Sequence, residues 1–143
     1  MRDKLVLLNL DDLIEDPLGN KVNSDIFNAN ITSDIVELSE QNYYFGVFSK
    51  NKNDMEIRGI LNANGIDTNL FEYFIGNPYT NCFKFGVDVI KTIFKNEYEI
   101  DDVLIINCFH YISIFQYMNI KETIVRNPLK IKDVILSLLP HKE

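Results

Sequence analysis

The sequence predicts an α/β fold, a three-layer αβα sandwich built on a five-stranded parallel sheet. Strand-like and helix-like segments alternate along the chain, a pattern typical of a parallel sheet covered by helices on both faces. The first strand-like segment, Leu5 to Leu10, is an apolar run broken only by Asn9, as expected of a strand buried on both sides. No repeat or long linker divides the 143 residues. We therefore expect a single domain covering residues 1–143.

Four further segments have the composition of short strands. They are rich in aromatic or β-branched residues and are bounded by turn-forming residues. In chain order they are Tyr43 to Phe48, Phe71 to Ile75, Val103 to Ile106 and Thr123 to Val125. Because a helix-like segment separates each strand from the next, consecutive strands are expected to run parallel.

The first connection is predicted to be mostly loop. The stretch from Glu15 to Asn30 is rich in Asn and Asp and contains a proline and a glycine, which is typical of a loop or flap. A short helix is predicted for Ser33 to Gln41, with Ser33 or Asp34 as its amino-terminal cap. This connection is therefore expected to leave a long polar segment beside the end of the first strand.

A capping box predicts the second helix. Asn53 lies three residues before Glu56, and such a pair satisfies free backbone N–H groups at a helix start. The helix is expected to end near Gly65. The side chains expected to point inward are Ile57, Ile60 and Leu61.

Apolar residues three or four positions apart predict the last three helices. The three stripes are Phe83, Val87, Ile90 and Phe94, then Tyr111, Ile114, Phe115 and Met118, and finally Ile131, Val134, Ile135 and Leu138. Pro140 is expected to end the last helix. We interpret the aromatic residues of the first stripe as core packing and not as a platform for stacking nucleic-acid bases.

The charge of the chain excludes several classes of partner. The formal net charge is −7, and no segment concentrates Lys and Arg. Nucleic acids and anionic membranes bind through positive fields, so neither is expected, whereas a basic protein partner would be complementary. Asp11 and Asp12 cut the first apolar run short, so we expect neither a signal peptide nor a membrane span there.

The cysteine usage predicts a reducing compartment. Cys82 and Cys108 are the two cysteines, and they form no CxxC pair, which indicates free thiols and a cytoplasmic location. The chain also has 17 Asn and only two Ala. This bias indicates an A+T-rich genome, as in some viruses and parasites, and carries no mechanism.

Candidate functional residues follow the strands. In open parallel sheets, ligands bind beyond the carboxyl ends of the strands. The residues at those positions are Asn9 to Asp12, Ser49 to Asn51, Gly76 to Pro78, Asn107 to His110, and Arg126 to Asn127. They are polar and rich in amides, and only the first group contains carboxylates.

These strand ends resemble the motifs of the haloacid dehalogenase superfamily. That family's first strand ends in Asp-x-Asp, and here LVLLNLDDL places Asn9 at the nucleophile position and Asp11 at the acid/base position. Ser49 matches the Ser or Thr that closes the family's second strand. Asn77 stands where the family has a Lys before a long helix. Asn107 stands where it has a metal-binding Asp after a strand.

The resemblance implies a capless, Rossmann-like haloacid dehalogenase core from which the catalytic groups are largely lost. Family members attack phosphorus with an aspartate, and an amide is no such nucleophile. Mg²⁺ is usually held through carboxylates, so we expect no bound cofactor and no catalytic residue, with Asp11 as a weak candidate ligand should Mg²⁺ bind. The vestigial pocket would consist of Asn9, Asp11, Asp12, Ser49, Asn77 and Asn107. The predicted function is a phosphatase-like pseudoenzyme that acts as a protein-binding or structural module.

Other interpretations stay open. Asn9 can be an ordinary polar strand end, and Asp11 and Asp12 can be cap or turn residues. Ser49 can be a capping hydroxyl. Two other functions are compatible with the sequence: a weak metal-dependent phosphatase or phosphotransferase that uses Asp11, and a degenerate receiver-like domain. The polar stretch from Glu15 to Ser33 is a candidate partner-contact surface because of its position.

Overall fold

Five strands and five α-helices make up the described part of the chain. The computed structural model describes residues 4–10, 24–49, 52–76, 82–108, 113–125 and 130–140. For residues 24–30, 82–83 and 113 it describes the backbone alone. The strands are β1 (Lys4–Asn9), β2 (Tyr43–Phe48), β3 (Tyr73–Ile75), β4 (Val103–Ile106) and β5 (Lys121–Thr123). The helices are α1 (Ser24–Ser39), α2 (Asp54–Ala63), α3 (Cys82–Lys95), α4 (Ser113–Tyr117) and α5 (Ile131–Leu138). Short 3₁₀ turns at Thr68–Leu70 and Ile100–Asp102 lead into β3 and β4.

The strands form one parallel sheet in the order β3-β2-β1-β4-β5. This confirms the predicted fold class. From β1 the chain builds outward to β2 and β3 on one side, and β4 and β5 then extend the sheet on the other side. The reversal lies between β1 and β4, which is where such sheets bind ligands. Receiver domains have the flavodoxin-like order 2-1-3-4-5, so the receiver-like alternative is wrong.

Alternate side chains of β1 enter two separate cores. Val6 and Leu8 point to the core under α1, α2 and α5, whereas Leu5 and Leu7 point to the core under α3 and α4. Every residue of β1 is buried, so the strand is covered on both faces as its apolar run predicts. Burying each aliphatic side chain contributes roughly 1.5–3 kcal/mol, which makes β1 the centre of the sandwich.

The capping box predicted for α2 is confirmed. The Asn53 side chain accepts a hydrogen bond from the Glu56 N–H at 2.8 Å, and the Asn53 N–H donates to the Glu56 carboxylate at 3.1 Å. Ile57 and Leu61 are buried as expected, and Ile60 is partly buried against the same core. The helix ends before Gly65, whose φ of 74° is left-handed.

Helix α1 begins at Ser24, well before the predicted start at Ser33. The loop predicted for Glu15 to Asn30 is therefore wrong for residues 24–30, which are helical, and its remainder lies outside the described residues. The partner-contact surface predicted for Glu15 to Ser33 stays a prediction: residues 24–33 belong to helix α1, and the rest of the stretch lies outside the described residues. Asn and Asp oppose a helix by only about 0.7 kcal/mol each relative to Ala. Packing of Ile31, Ile35 and Leu38 against the sheet outweighs that preference.

The predicted inward face of α3 is wrong in part: Ile90 packs partly against the core, and the side chain of Phe83 lies outside the described residues. The buried apolar residues are Phe85, Val89 and Ile93, which lie beside the predicted stripe, while Phe94 is 54% exposed. Apolar residues surround most of this helix, so two stripes of similar strength compete in the sequence. The sheet selects the stripe that reaches Leu7 and its neighbours.

Most other elements differ from their predictions at their bounds, but Leu138, part of the stripe predicted for α5, is 36% exposed while Leu139 is buried. Strand β5 spans Lys121–Thr123 and not Thr123 to Val125, because an edge strand carries exposed polar residues that an apolar pattern misses. Phe115 of α4, and Ile131 and Ile135 of α5, are buried as predicted. None of the helices in the described ranges is both long and apolar enough to cross a bilayer.

Candidate functional site

Asn9 and Asn107 meet at the crevice between β1 and β4. Leu8 is paired with Ile106 in the parallel register, so the residue that follows each of them lies at the carboxyl edge of the sheet. The Asn9 Nδ2 donates a hydrogen bond to the Asn107 carbonyl oxygen at 2.8 Å. Both residues are only 7% exposed. The structure thus brings together the two amides that the sequence singled out.

The Asn107 side chain is held by Val125, which lies two residues beyond the end of β5. Its Oδ1 accepts from the Val125 N–H at 2.7 Å, and its Nδ2 donates to the Val125 carbonyl at 3.1 Å. The Asn107 N–H donates to the Thr123 carbonyl at 2.9 Å. Asn107 has a φ of 62°, a left-handed conformation that Asn tolerates better than most residues. Its carboxamide therefore ties the end of β4 to the end of β5.

Ser49 lies one strand away from this pair. It follows β2, it is fully buried, and its N–H donates to the Ile75 carbonyl at 3.0 Å. Asn9 pairs in register with Phe48, so Ser49 belongs to the same edge. The remaining residues of the predicted pocket, Asp11, Asp12 and Asn77, lie outside the described residues.

Gly76 brings the end of β3 against the start of α2. A Cβ at Gly76 would lie 2.4 Å from the Lys52 carbonyl oxygen and 2.8 Å from the Asn53 Cα. Both neighbours are backbone atoms, so only glycine permits this close approach. The segment after β2 and the segment after β3 are therefore in tight contact at the same edge.

The sequence reasoning missed two contributors to this edge. Val125 holds Asn107, and an apolar residue gives no signal of a role that its backbone performs. The close contact between Gly76 and Lys52 was also missed, although a glycine directly after a strand is a signal of close backbone approach. Cys108 follows Asn107, is partly exposed and packs against the core under α3 and α4.

The described residues of the crevice do not fit a hard divalent cation. Mg²⁺ takes oxygen ligands and usually one or two carboxylates. Among the residues that the structure describes, no group of three or more His, Cys, Asp or Glu could hold a metal. The Asn9 amide turns a nitrogen toward Asn107, and the Asn107 amide oxygen already accepts from Val125. Asp11, the weak candidate ligand, lies outside the described residues.

Shifted pKa values occur elsewhere in the described part of the chain. Burial raises the pKa of Asp34 on α1, although Lys132 opposes the shift. Burial also raises the pKa of Glu122 on β5. The hydrogen bond from Lys132 to Glu37 raises the pKa of that lysine. Enzymes tend to concentrate such shifts at their active sites, and in the ranges described here none of these groups lies at the crevice between β1 and β4.

Comparison with known proteins identifies the architecture. No protein-family model matches the chain, and no curated protein matches its sequence. Among solved structures, it is similar to the N-terminal part of a Bacteroides fragilis protein that contains a phosphatase domain, complexed with magnesium. The TM-score is 0.68 and the identity 11%, over 99% of this chain and 41% of that one.

Two further structures are similar over most of both chains. The cobalt-bound deoxy-D-mannose-octulosonate 8-phosphate phosphatase YrbI of Haemophilus influenzae gives a TM-score of 0.53 at 14% identity, over 96% of this chain and 90% of that one. A probable YrbI-family phosphatase from Pseudomonas syringae gives 0.52 at 14% identity, over 96% and 86%.

The chain has the haloacid dehalogenase-like fold. This confirms the haloacid dehalogenase-like core that the resemblance of the strand ends implies. At these identities the likeness establishes the fold, and the chemistry has to be argued from this chain's own residues. The chain spans less than half the length of the Bacteroides structure and most of the length of the other two.

Proposed function

We propose that this chain is a catalytically inactive, phosphatase-like protein that acts as a protein-binding or structural module. The observation that carries the proposal is the hydrogen bonding at the crevice. Asn9 donates to Asn107, and both polar atoms of the Asn107 carboxamide are bonded to Val125. These amides connect the strand ends to each other, as expected of groups that stabilise a scaffold.

Phosphoryl transfer needs groups that the described crevice does not supply. A nucleophile for phosphorus must be an ionised or activated oxygen, nitrogen or sulfur, whereas the Asn9 amide is neutral and turns its nitrogen inward. Losing a nucleophile from such a catalytic unit lowers the rate by about 10⁴- to 10⁶-fold. The fold can still present a surface, because folds are reused for functions other than the original one.

The partner proposed for this module is a protein. The net charge of −7 disfavours nucleic acids and anionic membranes, which bind through positive fields. We place its action in the reducing cytoplasm, because the two cysteines form no CxxC pair and such usage is typical of intracellular proteins.

A phosphatase assay tests the catalytic half of the proposal. The complete chain is incubated with p-nitrophenyl phosphate and Mg²⁺ or Co²⁺, beside Asp11→Ala and Asp12→Ala variants as matched controls. We expect the same background rate for all three proteins. Metal-dependent turnover that disappears in Asp11→Ala, and persists in Asp12→Ala, would contradict the proposal.

That contradicting outcome is the signature of the second candidate, a weak metal-dependent phosphatase that uses Asp11. One observation favours it: the similar structures include magnesium- and cobalt-bound phosphatases. Restoring carboxylates sharpens the distinction. In an Asn9→Asp, Asn107→Asp variant, calorimetry is expected to show no Mg²⁺ uptake, because the second substitution also breaks the contact with Val125. Uptake of one Mg²⁺ by the variant would show that the pocket geometry of a phosphatase persists.

A further inference from the structure

The amino edge of the sheet, opposite the crevice, is strongly acidic. Three connections lead into β2, β3 and β4, at residues 40–42, 64–72 and 96–102, and they contain no Lys or Arg. Their acidic residues are Glu40, Asp67, Glu72, Glu97, Glu99, Asp101 and Asp102. Asp102 is buried and bonds to Lys4 at 3.3 Å, whereas the other six are exposed. These three connections therefore carry only negative charge, and the exposed cation beside them is Lys121 at the start of β5, whose Nζ donates to the Asp101 carbonyl at 3.0 Å.

A cleft of about 390 Å³ opens within this acidic edge. It lies between the last turn of α1, the start of β2 and the 3₁₀ turn at Thr68–Leu70. Its buried floor includes Phe45, and partly exposed Tyr44 contributes a wall. Val36, an apolar residue of α1 that is 42% exposed, also lines it. The volume falls within the range of about 300–1,000 Å³ that is common for binding pockets.

Backbone hydrogen bonds fix the walls of the cleft. The Glu72 N–H donates to the Phe45 carbonyl at 2.8 Å, which holds the segment before β3 against β2. On the other side, Asn42 turns the chain from α1 into β2 with a φ of 68°, and its carbonyl accepts from the Lys4 N–H at 3.3 Å. The Asp67 side chain caps the 3₁₀ turn by accepting from the Asn69 N–H at 2.9 Å. The cleft is thus preformed.

The charges of the cleft are not balanced within the described part of the chain. Glu40 and Glu72 are exposed and line the cleft, and in the described ranges neither carboxylate has a side-chain hydrogen bond or an ion pair. No Lys or Arg is among the described lining residues. The last turn of α1 also has no basic residue, although a helix carboxyl end carries partial negative charge that favours a cation.

We propose that this cleft binds a Lys- or Arg-bearing segment of a partner protein. A cationic side chain of this kind buries its aliphatic stem on apolar surface and keeps its charged end near polar groups. Here Val36 and partly buried Leu70 supply apolar surface, while Glu40 and Glu72 supply the opposite charge. Complementary charge of this kind selects partners and speeds association.

This inference rests on the binding half of the proposed function and is independent of the catalytic half. The cleft lies at the amino ends of the strands, and the crevice of Asn9 and Asn107 lies at their carboxyl ends. A cleft that fails to bind leaves the phosphatase assay unaffected, and turnover in that assay leaves the cleft unaffected. The two failures are therefore distinguishable on the same protein sample.

Chemical-shift mapping with a matched pair of peptides tests the cleft. The probe is acetyl-Leu-Arg-Leu-amide, and the control peptide replaces Arg with citrulline, which has the same shape and no charge. We expect the Arg peptide to shift amide signals of residues 36–45 and 69–72 at millimolar concentration. The citrulline peptide should bind about fivefold more weakly or worse. Adding 0.5 M NaCl should strongly weaken binding of the Arg peptide, because salt screens exposed charges.

Charge-matched variants complete the test. The double variant Glu40→Gln, Glu72→Gln should bind the Arg peptide about fivefold more weakly, since each exposed ion pair contributes modestly. Glu99→Gln with Glu122→Gln changes the net charge equally, away from the cleft, and should have little effect. Shifts elsewhere on the surface, equal binding of the citrulline peptide, or equal losses in the two double variants would each overturn the proposal.

Discussion

The two edges of the sheet carry different kinds of residue, and these residues make different kinds of contact. At the carboxyl edge, neutral amides and a glycine hold the strand ends together, as in the bond from Asn9 to Asn107 and the contact of Gly76 with Lys52. At the amino edge, exposed carboxylates surround an open cleft. In enzymes of open α/β type, the carboxyl edge is the place for ligands. Here it has the features of a structural joint, and the opposite edge has the features of a binding surface.

Polarity alone does not mark a functional site in this fold. The amides at the carboxyl edge are buried and paired, so they contribute to the scaffold. The acidic residues of the cleft are exposed and unbalanced in the described part of the chain, so their charge is available to a partner. The two edges differ less in the number of their polar residues than in whether those residues are hydrogen-bonded within the described part of the chain.

The largest effect is expected from a buried pair at the amino edge. Asp102→Ala leaves the Lys4 ammonium buried without its carboxylate, at a site where the two side chains are 10% and 7% exposed. Loss of one partner from a buried pair destabilises by about 3–5 kcal/mol. Urea unfolding measures it. Asp54→Ala, which breaks the exposed pair with Arg58, is the control and should cost less than about 1 kcal/mol. Equal losses of unfolding free energy in Asp102→Ala and Asp54→Ala would show that the buried pair stabilises the protein no more than the exposed pair does.

Substitution of Gly76 tests how tightly the carboxyl edge is packed. Gly76→Ala places a methyl group 2.4 Å from the Lys52 carbonyl oxygen, so the backbone must shift, at a cost of about 2–3 kcal/mol. Gly59→Ala on α2 is the control, because a Cβ there meets nothing within 4 Å. It should stabilise the helix by roughly 0.5–1 kcal/mol. Both are measured by thermal unfolding, and a neutral Gly76→Ala would show that this contact is loose.

A carboxylate at position 107 tests whether the amide is structural. In Asn107→Asp the group that donates to the Val125 carbonyl becomes an acceptor, which should destabilise by about 1–3 kcal/mol. Asn119→Asp has a similar backbone, with a φ of 58°, at an exposed position. That control should change stability little. If Asn107→Asp is as stable as Asn119→Asp in urea, the amide does not hold β4 to β5.

The smallest effect concerns the acidic helix that forms one wall of the cleft. Burial is the main cause of the raised pKa of Asp34, Lys132 opposes it, and Glu37 and Asp133 add to it. A carboxyl whose pKa is raised on folding favours the folded state when protonated, and this contribution is lost as pH rises through the folded pKa. Asp34→Asn should therefore stabilise the protein at pH 7, by roughly a few tenths of a kcal/mol after solvent screening. This gain in unfolding free energy should shrink as pH falls toward 4. A gain that stays constant with pH would show that the raised pKa of Asp34 is not its cause.

The fold could be predicted where local signals agreed with packing. The capping box of Asn53 and Glu56 needs only residues three positions apart, and it is present as predicted. The start of α1 and the buried face of α3 could not be predicted, because packing against the sheet decided them. Phe94 shows this, since its apolar character indicated burial and the sheet contacts the neighbouring face.

The candidate site could be predicted in position but not in bonding. The rule that ligands follow the strands of such sheets placed Asn9 and Asn107 at one edge, and the structure brings them within a hydrogen bond of each other. The link from Asn107 to Val125 depends on where β5 pairs with β4. The sequence pattern placed that strand two residues too late, so no such link could be read from it.

The side chain of Asn107 also acts as a substitute peptide group. A carboxamide offers an N–H donor and a carbonyl acceptor, as a backbone amide does. Here both are bonded to Val125, two residues after the end of β5. The hydrogen-bond ladder between β4 and β5 thus runs one step beyond the last regular pair, Ile106 with Thr123. An outermost strand of three residues would otherwise fray from its end. Asn107 holds that end in register without lengthening the strand.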